Sequence, residues 1–129
     1  MIDVSKVSKL IGTLKHDDKQ VRIRAVEELI QIGKPAIPVL TETLLQDKSS
    51  QVRSIAASAL GKIGDPTAVP VLEKALRDKS KGVYVNVAKA LRKIGTPEAI
   101  EAVEKFDMEE INEAMRSIQG KGNLVRVYE

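Results

Sequence analysis

The stretch VRSIAASALGKIGDP, residues 52–66, decides the fold of this chain of 129 residues. Its apolar residues recur every three or four positions, which is the spacing of one face of an α-helix. They are Val52, Ala56, Ala57, Leu60 and Ile63. Gly64 follows as a residue that adopts positive φ at the end of a helix. Because Asp65 and Pro66 then supply an N-cap and a first helical residue, the stretch predicts a helix, a tight turn and the start of another helix.

This stretch belongs to a pattern that repeats every 31 residues. Four sets of positions agree in three copies: Val21, Val52 and Val83; Leu29, Leu60 and Leu91; Gly33, Gly64 and Gly95; Pro35, Pro66 and Pro97. Asp47 and Asp78 mark the turn inside two of the copies. Self-similarity at a period of about 20–50 residues is typical of solenoids, in which each repeat buries its apolar faces only by stacking on its neighbours.

Each repeat predicts a pair of helices, and the chain has room for about four pairs. The predicted pairs span residues 3–33, 35–63, 66–94 and 97–119. The last pair leaves an alternative open, because no Gly or Pro lies between Pro97 and Gln119. This segment forms either two helices, the second starting at a capping box at 107–110, or one long helix. Residues 120–129 are predicted to be a flexible tail.

The composition excludes several kinds of site. The chain has no Cys and no Trp, one His, two Tyr and one Phe. Thiolate chemistry and multi-histidine metal sites are therefore ruled out, and the few aromatic residues argue against a base-stacking platform. His16, Asp17 and Asp18 are adjacent residues in a turn, an arrangement typical of the cap of a helix starting near Lys19. We expect no catalytic residue, no metal and no cofactor, and thus no enzyme.

The sequence also carries no sign of a membrane or export signal. No apolar run approaches the roughly 20 residues that a bilayer span needs. A cationic start followed by an apolar segment, which would mark a signal peptide, is not visible either. We therefore expect a cytoplasmic protein that does not contact a membrane.

Charge is distributed unevenly along the chain. The total is 21 basic against 18 acidic residues, a net charge of +3. Residues 48–93 hold ten basic residues and three acids, which gives +7, whereas residues 94–113 hold seven acids and one Lys, which gives −6. A basic middle and an acidic C-terminal part favour partners of opposite charge, including another copy of the same chain.

Residues 3–119 resemble the HEAT-repeat superfamily, in the short-repeat form found in phycobilin lyase subunits. The residues that carry the resemblance are Asp47-x5-Arg53 and the stretch 52–69. The resemblance implies an α-α superhelix, a right-handed α-solenoid, with the Val-Arg helices on its concave side and the Pro-started helices on its convex side. It implies a binding scaffold and no chemistry.

The resemblance also implies a ladder of Asp and Arg side chains between repeats. In this ladder Arg53 is expected to pair with Asp47 across the turn and also with a neighbouring repeat. The first repeat departs from the pattern with His16 at the Asp position, and the third departs with Tyr84 at the Arg position. The ladder is therefore expected to be incomplete, and Arg22 is left with Asp47 as its partner.

The second helix of each repeat leaves positions for a partner once its core-facing positions are assigned. Those predicted to bind are Ile23, Arg24, Glu27, Ser54, Ile55, Ser58, Lys62, Val85, Asn86, Lys89, Arg92 and Lys93. The small residues Ser54, Ser58 and Gly61 leave room in the centre. Isoleucine and valine side chains offer apolar contacts, and the lysines make one side basic. This combination favours an extended or helical peptide with acidic residues.

We expect a non-catalytic scaffold that binds a segment of another protein on the concave face of the solenoid. An acidic segment fits the basic side, and self-association is a further candidate because residues 94–113 are acidic. Two alternatives stay open: binding to the phosphate backbone of a nucleic acid, and a role as accessory subunit of a lyase-type enzyme. The few aromatic residues and the acidic C-terminal part argue against nucleic acid.

Overall fold

The computed structural model describes residues 4–120, and this part of the chain is all α-helical. Its α-helices are α1 (Val4–Thr13), α2 (Lys19–Ile32), α3 (Ile37–Gln46), α4 (Ser50–Ile63), α5 (Val69–Ala75), α6 (Lys81–Ile94) and α7 (Pro97–Gly120). Two 3₁₀ turns, Lys34–Ala36 and Pro66–Ala68, lead into α3 and α5. The predicted all-α solenoid is confirmed. The predicted tail, beyond Gly120, lies outside the described residues.

The helices form two layers, as stacked pairs require. In one layer α1, α3, α5 and α7 contact each other in succession, and in the other α2, α4 and α6 do the same. Between the layers lies a core of aliphatic side chains, most of them Leu, Val and Ala. The central positions of the repeat, Leu29, Leu60 and Leu91, are fully buried. Each repeat thus contributes to a core that it shares with its neighbours.

The helix ends follow the residues that the sequence singles out. Gly33, Gly64 and Gly95 end α2, α4 and α6 with φ of 71°, 75° and 71°, a conformation that an L side chain rarely adopts. Asp65 accepts a hydrogen bond from the N–H of Thr67 at 2.9 Å, which caps the turn that leads into α5. These predicted caps are confirmed.

The predicted fourth helix pair is wrong, because α7 is one uninterrupted helix. The alternative of a single long helix is the one that the structure contains. In the second repeat, the turn between the helices needs Asp47 and the N-cap Ser49. At the corresponding positions, two periods later, stand Glu109 and Ile111. Glutamate is a good helix former and isoleucine cannot cap, so nothing ends the helix there.

Arg53 joins the second repeat to the third. Its Nε donates to Asp78 Oδ2 at 2.8 Å and its Nη2 to Asp78 Oδ1 at 3.2 Å. Burial alone would raise the pKa of Asp78, but the hydrogen bonds from Arg53 and from the N–H of Ser80 outweigh it and hold this pKa below 3.8. The predicted link from Arg53 to a neighbouring repeat is confirmed. The predicted side-chain pair of Arg53 with Asp47 is wrong, because Arg53 Nη1 donates to the backbone carbonyl of Asp47 at 2.8 Å.

The corresponding arginine of the first repeat makes no such link. Arg22 Nη1 donates to the carbonyl oxygens of His16 and Asp17, at 2.6 and 2.9 Å. The predicted pairing of Arg22 with Asp47 is wrong, since the Asp47 carboxylate lies 3.6 Å from Lys15 Nζ instead. Both partners of Arg22 precede it in its own repeat, so this arginine closes its own turn and leaves the ladder incomplete.

Candidate functional site

A groove of about 490 Å³ opens between α2 and α4 and reaches the start of α6. One wall is apolar and consists of Ile23, Val26 and Ile30 from α2 together with Ile55 from α4. These positions on α2 are three and four residues apart, so their side chains share one face of the helix. The other side is polar and includes the hydroxyl groups of Ser50, Ser54 and Ser58.

A second cavity of about 490 Å³ continues the groove along α4 and α6. The two cavities share Ser58, Lys62 and Asn86, and we call them together the trough. Whereas the α2–α4 end of the trough is largely aliphatic, the α6 end carries Lys89 and Lys93. A ligand lying along the trough would therefore meet the apolar wall at one end, beside Lys19 and Arg22, and the lysines of α6 at the other.

The lining of the trough is strongly basic. Its charged residues are six basic side chains and one acid, a net charge of +5: Lys19, Arg22, Lys62, Lys89, Arg92, Lys93 and Glu27. Arg92 is partly neutralised, because its Nη2 pairs with Asp107 Oδ2 of α7 at 3.0 Å. Positive side chains along a concave surface favour an anionic ligand and raise the rate at which it associates.

The trough owes its shape to one glycine. An ideal Cβ on Gly61 would lie 2.7 Å from the Cα of Ala90, so α4 and α6 approach each other as closely as this glycine allows. From the sequence, the small Gly61 is predicted to leave space for a partner. In the structure α6 occupies that space. In α2 the corresponding position is Ile30, and here α2 and α4 are less closely packed and the groove opens between them.

Ser54 and Asn86 connect α4 to α6 at the floor of the trough. The Asn86 amide donates to the Ser54 hydroxyl, which in turn donates to the carbonyl oxygen of Gly82 at 3.2 Å. With both of its hydrogen-bonding capacities in use, Ser54 is held as a structural group. The positions 31 residues earlier hold Ile23 and Ile55. The groove between α2 and α4 is therefore apolar at the place where the contact between α4 and α6 is polar.

Ten of the twelve predicted binding residues line the trough. They are Ile23, Glu27, Ser54, Ile55, Ser58, Lys62, Asn86, Lys89, Arg92 and Lys93. Arg24 instead lines a small cavity between α1 and α2, together with Leu10 and Thr13. Val85 is half-buried on α6 and does not line the trough. The binding role of these residues stays a prediction.

The predicted set omits ten residues of the trough, namely Lys19, Arg22, Val26, Ile30, Ser50, Gln51, Gly61, Ser80, Gly82 and Ala90. The signal that could have found three of them is helical spacing. Lys19, Val26 and Ile30 lie three or four residues from Ile23 or Glu27 and therefore on the same face of α2.

The His16 turn is structural, and its predicted capping role is confirmed. The Asp18 carboxylate caps α2 by accepting from the N–H of Gln20 at 2.8 Å. His16 Nδ1 accepts a hydrogen bond from the N–H of Asp18 at 3.0 Å. In the later turns the carboxylates of Asp47 and Asp78 likewise accept from the N–H of the residue two positions further along the chain. Within residues 4–120 no three His, Asp or Glu side chains are grouped so that they could hold a metal ion.

None of the helices in residues 4–120 combines the length and the apolar character that a membrane span needs.

Comparison with known proteins places this geometry in a family. Residues 7–85 and 37–110 match a family model described as HEAT repeats. Among solved structures, the chain is similar to the complex of CpcE and CpcF of phycocyanin lyase from Nostoc sp. PCC7120, with 28% identity and a TM-score of 0.64. The similarity covers 81% of this chain and 64% of that chain, so this chain spans less than two thirds of its relative's length. No curated protein matches the chain.

Proposed function

Since the chain belongs to the HEAT-repeat family, we propose that it is a non-catalytic scaffold that binds an acidic segment of a partner protein in the trough. The observation that carries this proposal is the arrangement of the trough itself. Aliphatic side chains form the wall between α2 and α4, and lysines lie along the adjoining α6 end. An amphipathic segment with apolar residues on one face and acids beside them would be complementary to both parts.

Two kinds of contact would hold such a segment. Apolar side chains would lie against Ile23, Ile30 and Ile55 and remove that surface from water. Carboxylates would lie near Lys62 and Lys89, where opposite charges speed association and where acids introduced by mutation would repel the segment.

The similar solved structure supports a protein as the partner, because it is a complex of two proteins, CpcE and CpcF. The same similarity favours a second candidate function, in which this chain is an accessory subunit of a lyase-type enzyme. Co-elution of the purified chain with purified CpcE or with CpcF in size-exclusion chromatography tests this candidate. A stable 1:1 complex with either protein would support it, and elution as separate peaks would argue against it.

Fluorescence anisotropy tests the scaffold function. The probes are a labelled acidic amphipathic helical peptide, a scrambled peptide of the same composition and a random DNA duplex, each at about 0.05 M and about 1 M salt. We expect binding of the amphipathic peptide alone, weakened at the higher salt. Preferential binding of the duplex would favour the phosphate-backbone alternative, for which the acidic residues of α7 are an obstacle.

Charge reversal locates the site. Lys89→Glu with Lys93→Glu changes two exposed trough residues, and Lys6→Glu with Lys74→Glu makes the same change of net charge in the other layer. We expect the first variant to lose at least about tenfold in peptide affinity and the second to bind like the wild type, with the thermal midpoint of both almost unchanged. Equal loss in both variants would mean that overall charge, and not the trough, binds the peptide.

A further inference from the structure

The second half of α7 carries an exposed apolar stripe. Met108, Ile111 and Met115 are 55%, 55% and 49% exposed, and Ile118 continues the same spacing. Every residue from 107 to 117 is exposed, because the helix runs on past the position where earlier repeats turn back. From 108 to 118 the stripe covers ten residue steps, or about 15 Å of helix. Exposed large apolar side chains aligned on one helix face are typical of an interaction surface.

The charges beside this stripe are opposite to those of the trough. Residues 107–119 hold four acids and one Arg, a net charge of −3: Asp107, Glu109, Glu110, Glu113 and Arg116. Within the same copy, Asp107 pairs with Arg92 at 3.0 Å and Glu109 lies 4.0 Å from Arg77. The trough carries +5 and an aliphatic wall. The end of α7 therefore has the two properties, an apolar face and flanking acids, that the trough is suited to bind.

We propose that the second half of α7 of one copy of this chain docks in the trough of a second copy. This inference rests on the proposed function and names its partner. The apolar stripe lies against the Ile23, Ile30 and Ile55 wall, while Glu109, Glu110 or Glu113 lie near the lysines of α6. The contact is heterologous, because one copy contributes the helix and the other contributes the trough.

Charge disfavours the simpler symmetric pairing of two α7 helices. Side-by-side packing of their stripes would bring −3 against −3, and like charges in close contact oppose association. Arg92 and Asp107 pair with each other within each copy, and without them the head-to-tail arrangement still brings −2 against +4 at each junction. Since every copy keeps one free helix and one free trough, the assembly adds further copies, as a ring where the rotation between copies closes and as a filament where it does not.

Sedimentation of the full chain gives the first test. At about 0.05 M salt the mean mass is expected to rise with protein concentration, and at about 1 M salt the association constant is expected to fall by at least about tenfold. A wild-type chain that stays monomeric at both salts overturns the self-docking proposal. The peptide experiment decides the proposed function separately, since a monomeric chain whose trough binds the acidic peptide keeps that function.

Complementing variants give the sharper test. The trough variant is Lys89→Glu with Lys93→Glu, and the helix variant is Ile111→Gln with Met115→Gln; all four positions are exposed, so both variants are expected to fold. Each variant alone is expected to be monomeric. An equal mixture is expected to form a 1:1 dimer that grows no further, because only one intact helix and one intact trough remain.

The alternatives give different patterns. If α7 paired with α7, the trough variant would self-associate like the wild type and the mixture would contain no mixed dimer, which would overturn the proposal. The helix variant is also the control for the trough, because it should bind the labelled acidic peptide as tightly as the wild type. Loss of peptide binding in that variant would likewise contradict the proposal, since α7 would then act through the fold of its own copy.

Discussion

The contact between α4 and α6, which we call the closed junction, and the contact between α2 and α4, which we call the open junction, use equivalent positions of the repeat and differ at three of them. Where the α4–α6 junction has Gly61 against Ala90, the α2–α4 junction has Ile30. At the α4–α6 junction Ser54 and Asn86 are hydrogen-bonded to each other, and the α2–α4 junction has Ile23 and Ile55 at the corresponding positions. These three positions of the repeat thus distinguish a junction whose helices pack closely from a junction that leaves a groove.

The ladder residues differ in the same way. Arg53 spans the closed junction to reach Asp78, whereas Arg22 donates to carbonyl groups of its own turn. The open junction therefore lacks both the close helix contact and the buried ion pair of the closed one. We infer that the closed junction gives the solenoid its stability and that the open one provides the binding surface.

The largest effect is expected from the core of the closed junction. Leu60 is fully buried in α4, so Leu60→Ala should lower the free energy of unfolding by about 2–5 kcal/mol, the usual range for such a truncation. Urea denaturation followed by circular dichroism measures it. Lys89→Ala, at an exposed position of α6, is the control and should be near neutral. A loss below about 0.5 kcal/mol for Leu60→Ala would mean that this column does not form the core.

A second effect concerns the ion pair that spans the closed junction. Arg53→Ala should cost about 1.5–3 kcal/mol, because its charged hydrogen bonds to Asp78 are largely buried. In a double-mutant cycle, Arg53→Ala and Asp78→Ala should be non-additive. Arg53→Ala and Asp47→Ala should come closer to additivity. Of Asp47, Arg53 contacts the backbone carbonyl, and the alanine variant keeps that carbonyl. Equal coupling in both cycles would contradict the observed pairing.

Much of this architecture is predictable from the sequence because it is periodic. The columns of Leu29, Leu60 and Leu91 and the three glycines with positive φ follow from the period alone. The uninterrupted α7 is also predictable from the sequence. Ile111 stands two periods after the N-cap Ser49, and isoleucine cannot cap a helix.

The spacing between helices was not predictable in this way. Gly61 offers either room for a ligand or close approach of a helix, and the sequence contains nothing that decides between them. Only the distance to Ala90 does. The sequence also does not determine which groups Arg22 binds, because an arginine at that position can reach both its own turn and the next repeat. Such choices depend on packing in three dimensions, which a one-dimensional pattern does not record.

A third test breaks the close contact itself. Gly61→Ala would place a Cβ 2.7 Å from the Cα of Ala90, a backbone atom that cannot move without shifting α6. We expect a loss of about 1–3 kcal/mol from overpacking, in spite of the better helix propensity of alanine. Gly12→Ala is the matched control, because nothing lies within 4 Å of its Cβ position in α1, and it should stabilise by up to about 1 kcal/mol. If both substitutions stabilise, α4 and α6 are not limited by Gly61.

The pH dependence of stability offers a smaller readout of the closed junction. The pKa of Asp78 is held below its ordinary 3.8, so its ionised form stabilises the folded chain above that pH. This contribution is lost as the pH falls through the lowered folded-state pKa. Denaturation between neutral and strongly acidic pH should therefore show a steeper acid loss for the wild type than for Asp78→Asn. Identical slopes would mean that Asp78 titrates alike in the folded and unfolded chain.

The smallest effect is expected at the open junction, from Arg22→Ala. Arg22 is the repeat equivalent of Arg53, but its two hydrogen bonds go to carbonyl groups at the exposed turn of its own repeat. Water can replace such bonds, so the loss should stay below about 1 kcal/mol, well under the loss for Arg53→Ala. Parallel urea titrations of the two variants measure the difference. If Arg22→Ala cost as much as Arg53→Ala, the two junctions would be energetically equivalent, and the open groove would have to be explained by Ile30 alone.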